Sequence, residues 1–163
     1  MRKQDLVMHV IRGAREYSVG TVLFHRAVGK RLGINVTDVK CLDIIMLKGS
    51  ATPSELAHHT GLSTGAITTM IDRLERAKLL ERHPHSSDRR GTILVLSHQA
   101  MRKLPTLFES LANAMQVLLS SYSERDLGVL HDFFSKVAVL WEEERGKLNS
   151  SKRQKRLGGQ RAL

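Results

Sequence analysis

The chain is short of several residue types, and each shortage excludes a class of protein. One cysteine, Cys41, in 163 residues excludes an internal disulfide framework and is typical of a reducing compartment. Aromatic residues make up only 4% of the chain, although 41% is hydrophobic, which suffices for a modest core. No apolar run is long enough to span a membrane, and the charged start at Met1–Asp5 does not resemble a signal peptide. These absences predict a soluble cytoplasmic protein.

Acidic residues are missing from the C-terminal end. The last nineteen residues contain seven Lys and Arg side chains and no Asp or Glu, so they carry +7 of the net charge of +10. Residues 146–163 are rich in Lys, Arg, Ser, Gly and Gln, and this composition predicts a disordered basic tail. Two interpretations stay open, a solubilising segment and a sequence-independent attraction to phosphate that weakens steeply with salt.

Six segments repeat apolar residues at helical spacing. The first segment runs from Leu6 to Leu32 and ends at Gly33, and a turn connects the fifth segment to the sixth. Pro53 and Glu55 support a short third helix, because proline suits the first helical position and an acid favours the positive end of the helix dipole. The predicted caps of the second to sixth helices are hydroxyls at Thr37, Thr52, Ser63, Ser97 and Ser123.

The sequence predicts two short strands, Leu79–Arg82 and Thr92–Leu96, with a polar loop between them. The element order is therefore α-α-α-α-β-β-α-α. A short helix, a glycine turn, a second helix and a hairpin make a winged helix-turn-helix. The predicted fold is mainly α with a small β-hairpin wing, flanked by N- and C-terminal helices. The predicted parts are residues 1–36 (dimerisation helix), 37–97 (DNA-binding domain), 98–145 (dimerisation helices) and 146–163 (tail).

The flanking helices carry more apolar surface than a domain of about 70 residues covers. The same helices from a second copy would cover it through a two-fold contact, which predicts a homodimer. The alternative is packing within one chain.

The fourth helix, Ser63–Ala77, has the surface expected of a helix that enters the DNA major groove. Its first two turns present small side chains and hydroxyls, which allow close approach to base edges. Gly65 costs about 1 kcal/mol of helix stability against alanine, which an ordinary surface helix does not explain. The outward positions predicted from the 3.6-residue period are Ser63, Thr64, Gly65, Thr68, Thr69, Asp72, Arg73 and Arg76.

The loop between the strands supplies the second predicted contact. Arg89 and Arg90 lie at the hairpin tip, where a guanidinium can enter a narrow minor groove. Asp88 can orient one of them through a charge-assisted hydrogen bond. An exposed charge cluster without function is the alternative.

These residues together resemble the multiple antibiotic resistance regulator (MarR) family over about Gly33–Ala100. The segments that carry the resemblance are Leu56-Ala57, Gly61-Leu62-Ser63, Ile67-Thr68, Ile71–Glu75, Leu79–Arg82, Asp88–Arg90 and Leu96-Ser97. The resemblance implies a homodimeric repressor that binds a pseudo-palindromic double-stranded DNA operator and is released by a small aromatic or phenolic effector, or by an oxidant. Carried over by position, the major-groove contacts are Ser63, Thr64, Gly65, Thr68, Thr69 and Arg73, and the wing contacts are Arg89 and Arg90 with Asp88 in support.

The chain departs from the family pattern at several positions. Lys78 stands where the family often has glycine before the first wing strand, and Ser97 and Ala100 stand where a threonine and a glycine often open the fifth helix. Pro105 lies inside that helix and predicts a kink or a restart. The basic tail is also outside the common pattern.

The sequence predicts no cofactor and no reactive cysteine, and a ligand pocket is predicted only from the family resemblance. Cys41 is interpreted as a buried structural residue rather than a reactive thiol. The histidine pairs lack the spacing of a zinc site, so no metal or other cofactor is predicted. In the family the ligand pocket lies between the dimer helices and the helix-turn-helix, and helix position makes Tyr17, His25 and Met46 its candidate lining.

Other function classes are less consistent with the sequence. No nucleophile–base pairing, phosphate loop or metal spacing appears, so an enzyme is not predicted. The main alternative is an architectural protein that binds DNA non-specifically through the basic tail. A module that binds acidic proteins is the third.

Overall fold

The computed structural model describes residues 1–84 and 91–159, with side chains through Leu148. Within these ranges the elements are α1 (Lys3–Leu32), α2 (Val36–Lys48), α3 (Pro53–Thr60), α4 (Thr64–Arg76), β1 (Leu80–Pro84), β2 (Thr92–Leu96), α5 (His98–Ser120) and α6 (Glu124–Gly159). This order is the predicted one, and it confirms a mainly α fold with a two-stranded hairpin. The chain divides into two compact units, Met1–Glu109 and Ser110–Leu163. The predicted division into dimerisation and DNA-binding parts remains a prediction.

The core of the first unit lies where α2, α3, α4 and the hairpin meet. Helix α4 buries Ile67, Met70, Ile71 and Leu74, the four side chains predicted to face inward. They pack with buried apolar side chains of the neighbouring elements, including Leu42, Ile45, Leu56 and Leu94. Because these four positions of α4 are three and four residues apart, burying them leaves the opposite face of the helix exposed.

The helix caps follow the sequence prediction except at α2. The predicted cap Thr37 is wrong, since α2 begins at Val36 and its cap is Asn35. The Asn35 side chain accepts from the Asp38 backbone N–H at 2.9 Å, and the Asp38 carboxylate accepts in return from the Asn35 N–H at 3.3 Å. This reciprocal pair satisfies two backbone donors, whereas Thr37 already lies inside the first turn. Thr52, Ser63, Ser97 and Ser123 cap as predicted.

The hairpin begins and ends close to the predicted positions and gains a third partner. Strands β1 and β2 pair antiparallel from Leu80 opposite Leu96 to Pro84 opposite Thr92. Ala51 adds a bridge to Leu94 through backbone hydrogen bonds of 3.0 and 2.8 Å. The sequence did not predict this bridge, because a single extended residue carries no periodic signal. The predicted wing residues Asp88, Arg89 and Arg90 lie outside the described residues.

The turn before β1 holds a lysine in an unusual backbone conformation. Lys78 has φ of +57°, the left-handed region that glycine occupies without cost. The turn is held by backbone hydrogen bonds from Lys78 to Glu75 (2.8 Å) and from Leu79 to Leu74 (2.9 Å). The buried Ser97 hydroxyl donates to the Lys78 carbonyl at 2.6 Å. The surrounding hydrogen bonds therefore impose the conformation on a residue that disfavours it.

Replacing Lys78 with glycine is expected to raise the free energy of unfolding by about 0.5–1 kcal/mol, because the left-handed strain outweighs the extra chain entropy of glycine. Urea unfolding at a fixed protomer concentration measures the change. Lys103→Gly, in the exposed part of helix α5, is the matched control and should lose about 1 kcal/mol. Equal losses in both variants would contradict the strain argument.

Helix α5 is continuous through Pro105, so it does not restart there. Pro105 is exposed, and water can therefore satisfy the Met101 carbonyl that loses its helical partner.

In the second unit, α6 runs to Gly159 and enters the segment for which composition predicted disorder. Lys, Arg, Gln and Leu are good helix formers, which accounts for the helical backbone beyond residue 146.

Candidate nucleic-acid interface

Helices α3 and α4 form the helix-turn-helix of the first unit. Gly61 ends α3 with φ of +71°, and its N–H donates to the Ala57 carbonyl at 2.8 Å. A positive φ at this position turns the chain with little strain only if the residue is glycine. Ser63 then starts α4 by accepting a hydrogen bond from the Ala66 N–H at 3.3 Å. The two helices are thus joined by a turn that the sequence predicts.

The N-terminal half of α4 is exposed where the sequence predicts base contacts. Ser63, Thr64, Gly65, Thr68 and Thr69 are all exposed, and they lie within two turns of one helix. The structure therefore brings these five predicted residues together at the exposed N-terminal end of α4. Whether they contact DNA remains a prediction.

The two threonines of this face are partly committed to their own helix. The Thr68 hydroxyl donates to the Thr64 carbonyl, and the Thr69 hydroxyl donates to the Gly65 carbonyl, both at 3.0 Å. Each oxygen keeps lone pairs that can accept from a base amino group, and each methyl group can contact a thymine methyl. The expected contacts of these threonines are therefore acceptance and apolar contact rather than donation.

Gly65 has no packing reason to be glycine. A Cβ atom built at this position meets no atom within 4 Å. Alanine would fit and would favour the helix by about 1 kcal/mol. Within the part of the chain that the structure describes, nothing compensates the cost of Gly65, which supports a role in close approach to a ligand.

Arg73 does not point freely toward solvent as its outward position in the helix predicts. Its Nε and Nη2 donate to the two carboxylate oxygens of Asp38 at 2.8 and 2.6 Å. Asp38 is fully buried in the first turn of α2, and this carboxylate raises the pKa of the Arg73 guanidinium above its ordinary value through the hydrogen bonds. One edge of the Arg73 guanidinium is therefore occupied by a buried carboxylate, and its predicted contact with DNA remains a prediction.

A second arginine ties the wing to α4, and sequence reasoning missed it. Arg82 of β1 donates from Nη2 to Asp72 at 2.6 Å and from Nη1 to Glu75. These hydrogen bonds, that to Asp72 first, raise the pKa of Arg82. The sequence did contain a signal for this contact, because Asp72 and Glu75 are acids three residues apart on α4 and face the strand that follows.

Comparison with known proteins identifies the family. The sequence model of the MarR family matches residues 34–92. The uncharacterized HTH-type transcriptional regulator YcgE of Bacillus subtilis (strain 168) is 34% identical over 146 residues, which cover 90% of this chain and 95% of YcgE. The chain belongs to the MarR family. It is accordingly a MarR-family transcriptional regulator.

Solved structures of similar fold support the architecture of this MarR-family chain. The transcriptional regulator Tm0710 from Thermotoga maritima has a TM-score of 0.60 at 23% identity, covering 84% of this chain and 96% of that one. NadR in complex with 4-hydroxyphenylacetate has a TM-score of 0.63 at 17% identity, covering 79% and 92%. These likenesses confirm the predicted fold.

The predicted lining of a ligand pocket is not found in one place. In the first unit, a cavity of about 620 Å³ contains Met46 but neither Tyr17 nor His25 in its lining. Its wall is formed by Ile45, Met46 and Gly49 of α2, Glu81 and His83 of β1, Val95 and Leu96 of β2, and His98, Met101 and Pro105 of α5.

His25 lies in a separate polar cluster between α1 and α2 of the MarR-family chain. It is buried, and its Nδ1 donates to the Thr21 carbonyl at 2.6 Å. Its Nε2 lies 3.1 Å from the Asp43 carboxylate and 3.1 Å from the Lys40 ammonium. Tyr17 is 61% exposed. Tyr17, His25 and Met46 therefore do not line one cavity within this single chain, and their role in a ligand pocket remains a prediction.

Cys41 is fully buried in the core of the first unit. Burial, followed by the negative charge of Asp38, raises the pKa of its thiol to about 12. A thiol with this pKa carries almost no thiolate at neutral pH, which supports the structural interpretation.

Two kinds of feature are absent from residues 1–84 and 91–159. No group of three or more His, Cys, Asp or Glu side chains in these ranges is arranged to hold a metal ion. No helix there combines the length and apolar character needed to cross a bilayer.

Proposed function

We propose that this MarR-family regulator is a homodimeric, sequence-specific repressor that binds a pseudo-palindromic DNA operator and is released by a small aromatic or phenolic ligand. The single observation that carries DNA recognition is the exposed N-terminal half of α4. Ser63, Thr64, Gly65, Thr68 and Thr69 form a surface of small side chains there. Such a surface admits the helix axis close to base edges, and the N–H groups of the first turn favour a phosphate.

The apolar surface of the outer helices supports a homodimer. In the first unit, α1 exposes large apolar side chains that include Leu6, Val10 and Leu23, and in the second unit α6 exposes Val139 and Trp141. The Trp141 side chain, the largest of these, is 68% exposed. Apolar side chains at this density on a regular helix mark an interaction surface, and a second copy covers them symmetrically. A two-fold dimer presents two copies of α4 to half-sites about one helical turn apart, which accounts for a pseudo-palindromic operator.

The division of labour in the chain follows from this proposal. Residues 37–97 would bind DNA, with Asp88, Arg89 and Arg90 in the wing, while residues 1–36 and 98–145 would form the dimer. A phenolic effector is supported by the similarity to NadR, whose solved structure contains 4-hydroxyphenylacetate. The basic tail would add non-specific attraction to phosphates.

Selection of bound duplexes from a random pool at physiological salt tests the proposal. The full chain is expected to yield a pseudo-palindromic consensus with half-sites about one turn apart. A variant lacking residues 149–163 should select the same consensus with a smaller salt dependence, because the five Lys and Arg side chains of that segment no longer release counterions.

Two outcomes would overturn the proposal. An architectural protein would show no consensus and would lose most of its binding with the tail. A module for acidic proteins would lose all DNA binding when salt is raised modestly.

A further inference from the structure

Asp38 is a carboxylate that the fold keeps away from water. It is 0% exposed in the first turn of α2. It accepts from the Asn35 N–H at 3.3 Å and from the Nε and Nη2 of Arg73 at 2.8 and 2.6 Å. A buried carboxylate is stable only when charged and polar partners replace its water. Arg73 is the only cation within hydrogen-bond distance among the contacts described for Asp38.

The contact between Asp38 and Arg73 joins two elements that are far apart in the chain. The two residues are 35 positions apart, one on α2 and one on the third turn of α4. Apolar side chains of both helices, such as Ile45 and Ile67, belong to one buried core, but such packing is non-directional. A two-bond guanidinium–carboxylate contact is directional, so it sets the rotation and the register of α4 against α2.

The other charges of α4 differ from Arg73 in what they contact. Asp72 and Glu75 are both paired with Arg82 of the wing strand. Arg76 is exposed, and its Nε donates to the backbone carbonyl of Asp72 at 3.2 Å. Among its described contacts no carboxylate neutralises Arg76. In this part of α4, the cation with its charge available to a phosphate is therefore Arg76.

We propose, on the basis of the DNA-binding function proposed above, that Arg73 is a positioning residue for operator recognition and that Arg76 is the phosphate contact of this part of α4. Arg73 acts through Asp38, which never reaches the DNA. The contact between Asp38 and Arg73, called the clamp below, fixes where the small residues of the first two turns meet base edges. Hydrogen bonds to bases require side chains placed to within about 0.5 Å, so a small rotation of α4 weakens several contacts together.

The two roles predict opposite effects of Asp38→Asn. If Arg73 contacts a phosphate directly, removing the Asp38 charge frees its guanidinium and raises affinity for the operator. If Arg73 positions α4, the same substitution loosens the clamp and lowers affinity. We expect a loss of roughly threefold to thirtyfold, which lies within the range of coupling seen between residues in contact.

The salt dependence of operator binding distinguishes a residue that contacts a phosphate from a residue that positions α4. The affinities of Asp38→Asn, Arg73→Gln, the double variant and Arg76→Gln are measured on the selected operator between low and physiological salt. Each lost phosphate contact reduces the slope of log affinity against log salt by about 0.9, so Arg76→Gln should reduce it by roughly 2 in a dimer. Asp38→Asn should keep the wild-type slope, and the double variant should lose no more affinity than Arg73→Gln alone.

All measurements are made where circular dichroism shows each variant to be fully folded, so that a stability effect does not enter. Arg73→Lys provides a second test, because lysine keeps the positive charge but not the two-bond geometry. The operator affinity of this variant should fall, while the slope of its salt dependence should stay unchanged. Unchanged or higher affinity of Asp38→Asn, or a reduced slope for Arg73→Gln equal to that of Arg76→Gln, would overturn the proposal. Failure of the proposed function is distinct, since the wild type would then select no operator.

Discussion

Arg73→Leu is expected to lower the free energy of unfolding by about 3–5 kcal/mol, the cost of leaving one partner of a buried ion pair uncompensated. The reason lies in Asp38, which is 0% exposed and cannot exchange the guanidinium for water. Among the contacts described for Asp38, only the Asn35 N–H, at 3.3 Å, would still donate to it. Urea unfolding at a fixed protomer concentration measures the loss.

The same pair predicts an asymmetry between its two members. The Arg73 side chain is 38% exposed, so in Asp38→Asn the guanidinium can turn toward solvent, and the loss should be about 1–2 kcal/mol. Arg76→Leu, on the same helix but exposed, is the matched control and should change stability by less than about 0.5 kcal/mol. Similar small losses in all three variants would mean that Asp38 is reached by water and that the pair contributes little.

Enlarging Gly65 is expected to separate stability from DNA binding. Gly65→Ala should raise the free energy of unfolding by about 1 kcal/mol, because a Cβ atom there meets no atom within 4 Å and alanine favours the helix. Gly65→Leu should be similarly stable, since leucine is also a good helix former. Operator affinity should fall in both, because the added side chain holds the helix axis away from base edges.

The size of the effect should follow the size of the side chain. Gly65→Leu displaces the first two turns and should cost roughly tenfold to a hundredfold in affinity, since each good base contact is worth about 1–3 kcal/mol. Gel shift gives the affinity, and size-exclusion chromatography gives the oligomeric state, which should not change. Equal losses of DNA binding and dimerisation would show that Gly65 is needed for folding or assembly rather than for contact.

Local features of the fold were predictable from the sequence. Caps such as Thr52 and Ser97 act over three residues, and the inward face of α4 repeats every three or four residues. Interactions of this range are visible in the order of residues itself. The same periodicity placed Thr68 and Gly65 on the exposed face, as the structure has them. The cap of α2 was placed at the wrong residue because Asn35 and Thr37 both carry capping side chains.

Features that join distant parts of the chain were not predictable. Sequence position put Arg73 outward, but its partner lies 35 residues earlier, and no local pattern links them. The surroundings of the predicted pocket residues were not predictable for the same reason, since His25 contacts Asp43 while Met46 lines a cavity that lacks His25.

By itself the sequence determined the number, type and order of the elements, the resemblance to the MarR family, and the exposed small-residue surface that begins at Ser63. Each of these depends on residues a few positions apart. The tertiary structure alone decided which distant residues meet. A Cβ atom at Gly29 would lie 2.7 Å from the Ile34 carbonyl, Ala51 bridges to Leu94, and Asp38 captures Arg73. The last contact arises because burial makes a carboxylate bind the nearest cation, and which cation is nearest is decided only when α2 and α4 pack together.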